Sequence, residues 1–295
     1  MHSATKVIRV NEIADKAAAI AHVFRQKIMP RNVLVAGPYV GELGWELMEW
    51  SGYVRKLSTT YRRTIAISYE GNAWLYEPCE YYAHSATLAD SGYGYGSLPR
   101  AQINTILNNC ATAFKIKSFD WFFPEHLNAI SKQLIGGQLF WAPFEQKRRC
   151  IYDVAFHFRN IRRSDLESKN YPIEFAYELI ERCKNNGISV CCIGHRNYSL
   201  CPDNCTDFRT NELSETRAVL RSVMIVAGGS SGPMHLASLC GLAVVVWCTE
   251  GIVDRYISTW NPHQSPVFVV SEKTFQPTPV EVFYKINEAL KHVAS

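Results

Sequence analysis

The sequence predicts an α/β fold of two doubly wound parallel sheets, each covered by helices and facing the other across a cleft. Three observations predict it. Short apolar runs alternate with stretches of helical spacing. The runs are continuous rather than alternating, which is how strands buried on both faces read. The whole rhythm occurs twice, once before residue 70 and again from residue 152, giving two α/β halves.

In chain order, MHSATKVIRVNEIADKAAAIAHVFRQ has the spacing of an amphipathic helix and lacks the apolar stretch of a leader peptide. NVLVA (32–36) is the first buried strand and stops at Gly37-Pro38. After the turn YVGELG, the stretch WELMEWSGYVRKL carries Leu47, Trp50, Tyr53, Val54 and Leu57 at helical spacing. RTIAISY (63–69) is the second strand. Residues 72–104 are rich in Tyr, Gly and Ser without a clean period and are expected to form loops. The second half restarts at the strand YDVAFHF (152–158), behind the basic stretch EQKRR (145–149). The helix YPIEFAYELIERCKNNG, with Gly187 at its C-terminal cap, leads to the strand ISVCCIG (188–194). Then follow the helix NELSETRAVLRSV, the strand MIVAG, the helix GPMHLASLCG and the strand AVVVW. The tail TPVEVFYKINEALKHV opens on Thr278-Pro279, a good N-cap and first-turn pair. The expected domains are two Rossmann-like halves, 1–148 and 149–277, and a closing helix, 278–295.

Composition narrows the function classes. With 295 residues, 47% of them hydrophobic, each half can bury a core without a disulfide scaffold. A net charge of +4 is too mild to indicate a nucleic-acid partner by itself. No apolar run reaches the ~18 residues that a membrane helix needs. The ten cysteines contain no Cys-x-x-Cys pair and no second cluster to complete a zinc set. They read as buried free thiols of a reducing compartment, with a local Cys201–Cys205 disulfide as the alternative. A cytoplasmic protein without a bound metal or a transmembrane segment is the expectation.

Three stretches carry chemistry. The first is GGSSGPMHLASLCG (228–241), read as a loop between a strand ending at Ala227 and a helix starting near Pro233. A proline in the first helical turn loses nothing there. The free N–H groups and positive end of the helix make an anion site. Gly228, Gly229 and Gly232 would let backbone approach a ligand, and Ser230 and Ser231 add hydroxyls; a diphosphate is the simplest occupant. Pro233, Met234 and His235 belong to the same stretch, with His235 one turn in as a hydrogen-bond donor. The alternative is a tight turn with a serine cap. The second stretch is FHFRNIRRSD (156–165): Arg159, first off the strand end, is the candidate phosphate ligand, while Arg162 and Arg163 also fit a solvated role. The third is GPYVGELGWELMEW, where Gly41 and Gly44 flank Glu42 at a strand-to-helix turn. A carboxylate there could take a proton from an acceptor hydroxyl, or Glu42 or Glu46 could simply cap the helix.

The stretch VMIVAGGSSGPMHLASLCG closely resembles the signature of GT-B fold glycosyltransferases, above all the heptosyltransferase-like glycosyltransferase family 9. In that family a small-residue loop before Gly-Pro-Met-His-Leu-Ala holds the donor diphosphate. Where the family has Asp-Thr or Asn-Ser ahead of Gly-Pro, this chain has Ser230-Ser231. The family's Gly-Asp turn, whose Asp is the base, corresponds to Gly41-Glu42, and HFR (157–159) is similar to the His-x-Arg of fucosyltransferases, whose arginine contacts donor phosphates. The resemblance covers about 150–250 closely and 30–60 loosely.

The resemblance implies an inverting transfer from a nucleotide-diphospho-sugar to a hydroxyl acceptor, and, as no Asp-x-Asp pair stands at a strand end in the usual metal-holding form, the transfer is expected to be metal-independent. Glu42 would be the base, and Arg159 with residues 229–235 would hold the diphosphate. His195 and Glu250, at the loops 195–212 and 249–262, are further donor-side candidates. No cofactor is expected beyond the nucleotide sugar. The acceptor stays open between a saccharide, a lipid-linked core, a protein and a hydroxymethylated base in DNA. For DNA, Arg55, Lys56, Arg62, Arg63 and Lys147 to Arg149 would line a groove with aromatic YGYG and DWFF platforms, unless they are a solvated basic edge. A nucleotide-sugar epimerase and a non-catalytic nucleotide-sugar binding module are the other classes.

Overall fold

A computed structural model describes residues 32–86, 98–144, 150–161, 167–249, 251–271 and 273–294. The expected N-terminal helix, the basic stretch 145–149, Arg162, Arg163, Glu250 and the YGYG segment lie outside them. The chain divides into two compact units, Met1–Phe140 and Trp141–Ser295.

The first unit is built on four parallel strands: β1 (Val33–Ala36), β2 (Arg63–Tyr69), β3 (Glu80–His84) and β4 (Asp120–Phe122), in the order β3-β2-β1-β4. After β1, the segments Leu43–Trp45, a π turn at Glu46–Trp50 and Ser51–Ser58 form one helical run, α1. The apolar positions read at helical spacing are its buried face: Leu47, Trp50, Tyr53, Val54 and Leu57. Trp50 stacks on Phe122 of β4, with ring centroids 5.4 Å apart. Two helices follow later, α2 (Arg100–Ala113) and α3 (Ala129–Ile135).

The span 72–104 is therefore not all loop. It holds a 3₁₀ turn at Ala73–Tyr76, the edge strand β3 and the start of α2. As an edge strand, EYYAH buries only His84 fully, so it lacks the continuous apolar run of its neighbours. Two of the residues weighed as a basic groove or a solvated edge are engaged within this unit. Arg55 is buried, and Arg63 makes a two-pronged ion pair with Glu80 across β2 and β3 and donates to Phe114 O. In DWFF, Phe122 and Phe123 are core, and Trp121 donates its indole N–H to Gly37 O at 2.8 Å.

The second unit has a sheet in the order β11-β10-β9-β5-β6-β8. Its strands are β5 (Tyr152–Arg159), β6 (Val190–Cys192), β8 (Thr206–Asp207), β9 (Val223–Gly229), β10 (Ala243–Trp247) and β11 (Val267–Ser271), all parallel. A short antiparallel strand, β7 (Ser199–Leu200), pairs with the end of β5. Helices α4 (Ile173–Asn185), α5 (Leu213–Leu220), α6 (Gly232–Leu239) and α7 (Pro279–Ala294) follow the expected spans. Helix α7 opens with a reciprocal cap between Thr278 and Glu281 and lays Val282, Ile286 and Ala289 into the core of this unit. Burial of Val282 and of Ile286 contributes about 1.5–3 kcal/mol each.

This strand order places the reversal of chain direction in one place. From β5 the chain adds β6 and β8 on one side, then crosses to β9 and adds β10 and β11 on the other. The carboxyl ends of β5 and β9 are the switch point, where open α/β sheets leave a crevice for ligands.

Candidate functional site

Strand β9 ends in Gly228-Gly229, and β5 ends in His157-Phe158-Arg159. His157 is in register with Gly228, so the two stretches read from the sequence as separate phosphate ligands lie side by side at the switch point. A hydrogen bond of 2.8 Å between Ser231 Oγ and His157 Nδ1 joins them.

The loop is shorter than the sequence suggests. Gly228 and Gly229 are strand, paired with Val246 and Trp247 of β10, so only Ser230 and Ser231 separate β9 from α6. Packing leaves little room for a side chain at either glycine. A Cβ at Gly228 would stand 2.8 Å from His157 O and 2.8 Å from Met234 Sδ. At Gly229 it would meet Trp247 Nε1 at 3.2 Å. Arg159 is the last residue of β5 rather than the first beyond it, and it pairs with Ser199 of β7.

The helix start keeps donors for an anion. Ser230 N–H is taken by Trp247 O, and the N–H groups of Met234 and His235 close on Ser231 O. Pro233 has no N–H, so the first turn leaves Ser231 and Gly232 as its backbone donors. Ser230, Ser231, Gly232 and Pro233 are all half-buried, while Met234 is core.

His235 turns inward. It is 5% exposed, stacks on Tyr256 with centroids 5.0 Å apart and meets Trp260 edge-on. Burial drives its pKa down to about 3, so it is neutral near pH 7 and brings no positive charge to a diphosphate. His157 is likewise pushed down to about 3, by burial first and by the Arg159 charge second. His195 is half-buried at the start of the loop after β6 and stacks near Tyr198. Gly194, just before it, lies against the His157 ring, where a Cβ would come within 2.5 Å of Cδ2.

Two buried polar atoms around this turn, His235 Nδ1 and Trp247 Nε1, have no hydrogen-bond partner, while the Tyr256 hydroxyl beside them meets the Ser230 hydroxyl and the Ser231 backbone. Buried polar groups are nearly always satisfied, so such a pair marks a place that a ligand or water completes. The sequence reading missed His157, Trp247 and Tyr256. The HFR motif could have supplied the first; nothing local marked the other two.

In the first unit, Glu42 precedes α1 with extended backbone and half-buried exposure. Its carbonyl accepts from Tyr39 Oη at 2.7 Å and from the N–H groups of Trp45 and Glu46, so the residue caps the helix through its backbone rather than its carboxylate. Gly41 and Gly44 are also half-buried. Glu46 is fully buried and accepts from Ser68 Oγ, from Asn72 Nδ2 at 2.8 Å and from Tyr76 Oη at 2.6 Å. Burial outweighs those three donors and pushes its carboxyl up to about 7.

No family model matches the chain, and no curated protein does. Solved structures do. The glycosyltransferase family 9 protein of Veillonella parvula aligns with a TM-score of 0.58 at 10% identity, over 90% of this chain and 98% of that one. The ADP-heptose lipopolysaccharide heptosyltransferase II of Escherichia coli gives 0.59 at 12% identity, over 90% and 100%. Heptosyltransferase WaaC of the same organism, solved with ADP, gives 0.51 at 13%, over 88% and 99%. The chain resembles these proteins and has their GT-B type of α/β fold. Among the described residues no helix is long and apolar enough to cross a membrane.

Proposed function

We propose that this chain is a glycosyltransferase that moves a sugar, with inversion, from a nucleotide-diphospho-sugar to a hydroxyl acceptor. The observation that carries the reading is the meeting of the end of β5, where His157 bonds Ser231 and Arg159 is the last residue, with the turn that opens α6 at the switch point of the second sheet. The Arg159 guanidinium and the N–H groups of Ser231 and Gly232 would stabilise charge on the departing diphosphate without a metal ion. In the transfer, the acceptor oxygen bonds to the anomeric carbon as its proton passes to Glu42. The bond to the diphosphate oxygen breaks, and that oxygen keeps the electron pair. The similar Escherichia coli enzyme is named for ADP-heptose, so ADP is the first nucleotide to try.

The test is calorimetric titration with ADP, GDP and UDP, with and without EDTA. One nucleotide should bind equally well in both, and Arg159→Ala should weaken it by about 10- to 100-fold, the loss of one charge-assisted contact. Unchanged affinity in that variant would remove Arg159 from the site. Glu42→Gln should keep nucleotide affinity and lose turnover by about 10²-fold or more; a retained rate, measured as release of nucleoside diphosphate in the presence of acceptor, would place the base elsewhere.

A further inference from the structure

The spacing of the cysteines hides a cluster that only the fold assembles. Cys192 ends β6, and Cys201 and Cys205 lie on the loop from β7 to β8. Strand β8 pairs back onto β6, with Cys191 opposite Thr206 and Cys192 opposite Asp207. That pairing folds the loop over the end of β6, and the sulfurs of Cys192, Cys201 and Cys205 come within 4.8 Å of one another. Cys192 Sγ and Cys205 Sγ are 3.6 Å apart.

We propose that Cys192, Cys201 and Cys205 bind a thiophilic divalent transition-metal ion of the zinc class. Three thiolates around a tetrahedral ion at about 2.3 Å from each sulfur stand roughly 3.8 Å apart, close to the observed spacing. A disulfide needs about 2.05 Å between two sulfurs and would leave the third thiol out. The ion takes all three sulfurs as thiolates, and the protons they carry leave to solvent. Positive charge is at hand: Lys184 Nζ bonds Asn204 O at 3.0 Å, and Arg209 adds its charge beside Cys201 and Cys192. Cys192 is buried, the other two are half-buried, and the fourth coordination position is filled by solvent or a small ligand.

The ion would act as a clip. It closes the loop onto β6, and Arg209 Nη1 ties the same segment to Ser199 O at 2.6 Å. Ser199 is the β7 residue paired with Arg159. The site is independent of the transferase reading, since it rests on the loop's own sulfurs.

The test uses full-length protein, reduced, stripped with EDTA and handled without oxygen. Titration with Co²⁺ should give, at one equivalent, sulfur-to-cobalt charge transfer in the near ultraviolet and the strong visible bands of a tetrahedral ion. Zn²⁺ should displace them, protons should be released, and Tm should rise. Cys205→Ser should abolish the charge-transfer bands, and Cys79→Ser should leave them unchanged. Absence of the bands and of any Tm response in the wild-type protein would overturn the proposal, whatever the variants do. So would a Cys192–Cys205 disulfide, seen by mass spectrometry, whose reduction yields thiols that still take no cobalt.

Discussion

The helix that follows β1 and the helix that follows β9 make the same start and end differently. Each places an ionisable side chain four residues past its N-cap: Glu46 after Glu42 in the first unit, and His235 after Ser231 in the second. Each buries that group and pushes it towards its neutral form, Glu46 up to about 7 and His235 down to about 3. The first unit then supplies three side-chain donors to the carboxyl. The second leaves His235 Nδ1 without a partner, with Trp247 Nε1 also unsatisfied nearby. A satisfied buried group belongs to the fold. A pair of unsatisfied ones at a sheet's switch point is where binding is to be sought.

The largest effect that sharpens this contrast is on pH dependence in the first unit. The Glu46 carboxyl titrates higher folded than unfolded, so its contribution to stability is complete below about 4.5 and is lost as pH rises to about 7. The loss should be about 3 kcal/mol, read as the change between pH 4.5 and 8 in the difference between the urea unfolding free energies of the wild type and Glu46→Gln. Glu46→Gln should flatten that part of the profile, with Asn72 free to turn its amide oxygen to the new N–H₂. A variant with the wild-type slope would break the account of Glu46.

His235 gives the opposite sign and a smaller effect. Its folded value lies below the unfolded one, so its contribution is present above about 6.5 and is lost as pH falls towards about 3. His235→Phe should therefore gain about 2 kcal/mol over the wild type at pH 5 and little at pH 7.5. No relative gain at pH 5 would mean that the ring is not held neutral. The smallest change is Ser231→Ala, which removes the bond to His157 and should cost about 1 kcal/mol at pH 7 in the same assay. A larger loss would show Ser231 to be fold machinery rather than a donor kept for a ligand.

Much of this architecture was legible in the sequence because the central strands are unbroken apolar runs. NVLVA, RTIAISY, YDVAFHF and AVVVW all became strands within a residue or so of their expected bounds. The edges were not legible. Strand β3 is mostly tyrosine and polar residues, and β7 and β8 are two residues each, too short for any period to appear. At the candidate site, the strand-turn-helix and Arg159 were read correctly as neighbours of strand ends. The lack of room for a side chain at Gly228 was not legible, because only the packed His157 and Met234 show it. Glu46 was visible only as a possible cap, since its three donors come from Ser68, Asn72 and Tyr76, far along the chain. The thiol cluster escaped for the same reason: strand pairing, not spacing, brings Cys192 to Cys201 and Cys205.

The central claim is that the ends of β5 and β9 together hold a diphosphate. Hydrogen–deuterium exchange of the full-length protein, with and without a saturating nucleoside diphosphate, tests it most directly. The account predicts that slowed exchange concentrates in peptides covering 156–161 and 228–236, with α1 and the Glu46 cluster unchanged. Binding that leaves both of those segments unprotected, or protects the Glu46 region instead, would contradict it.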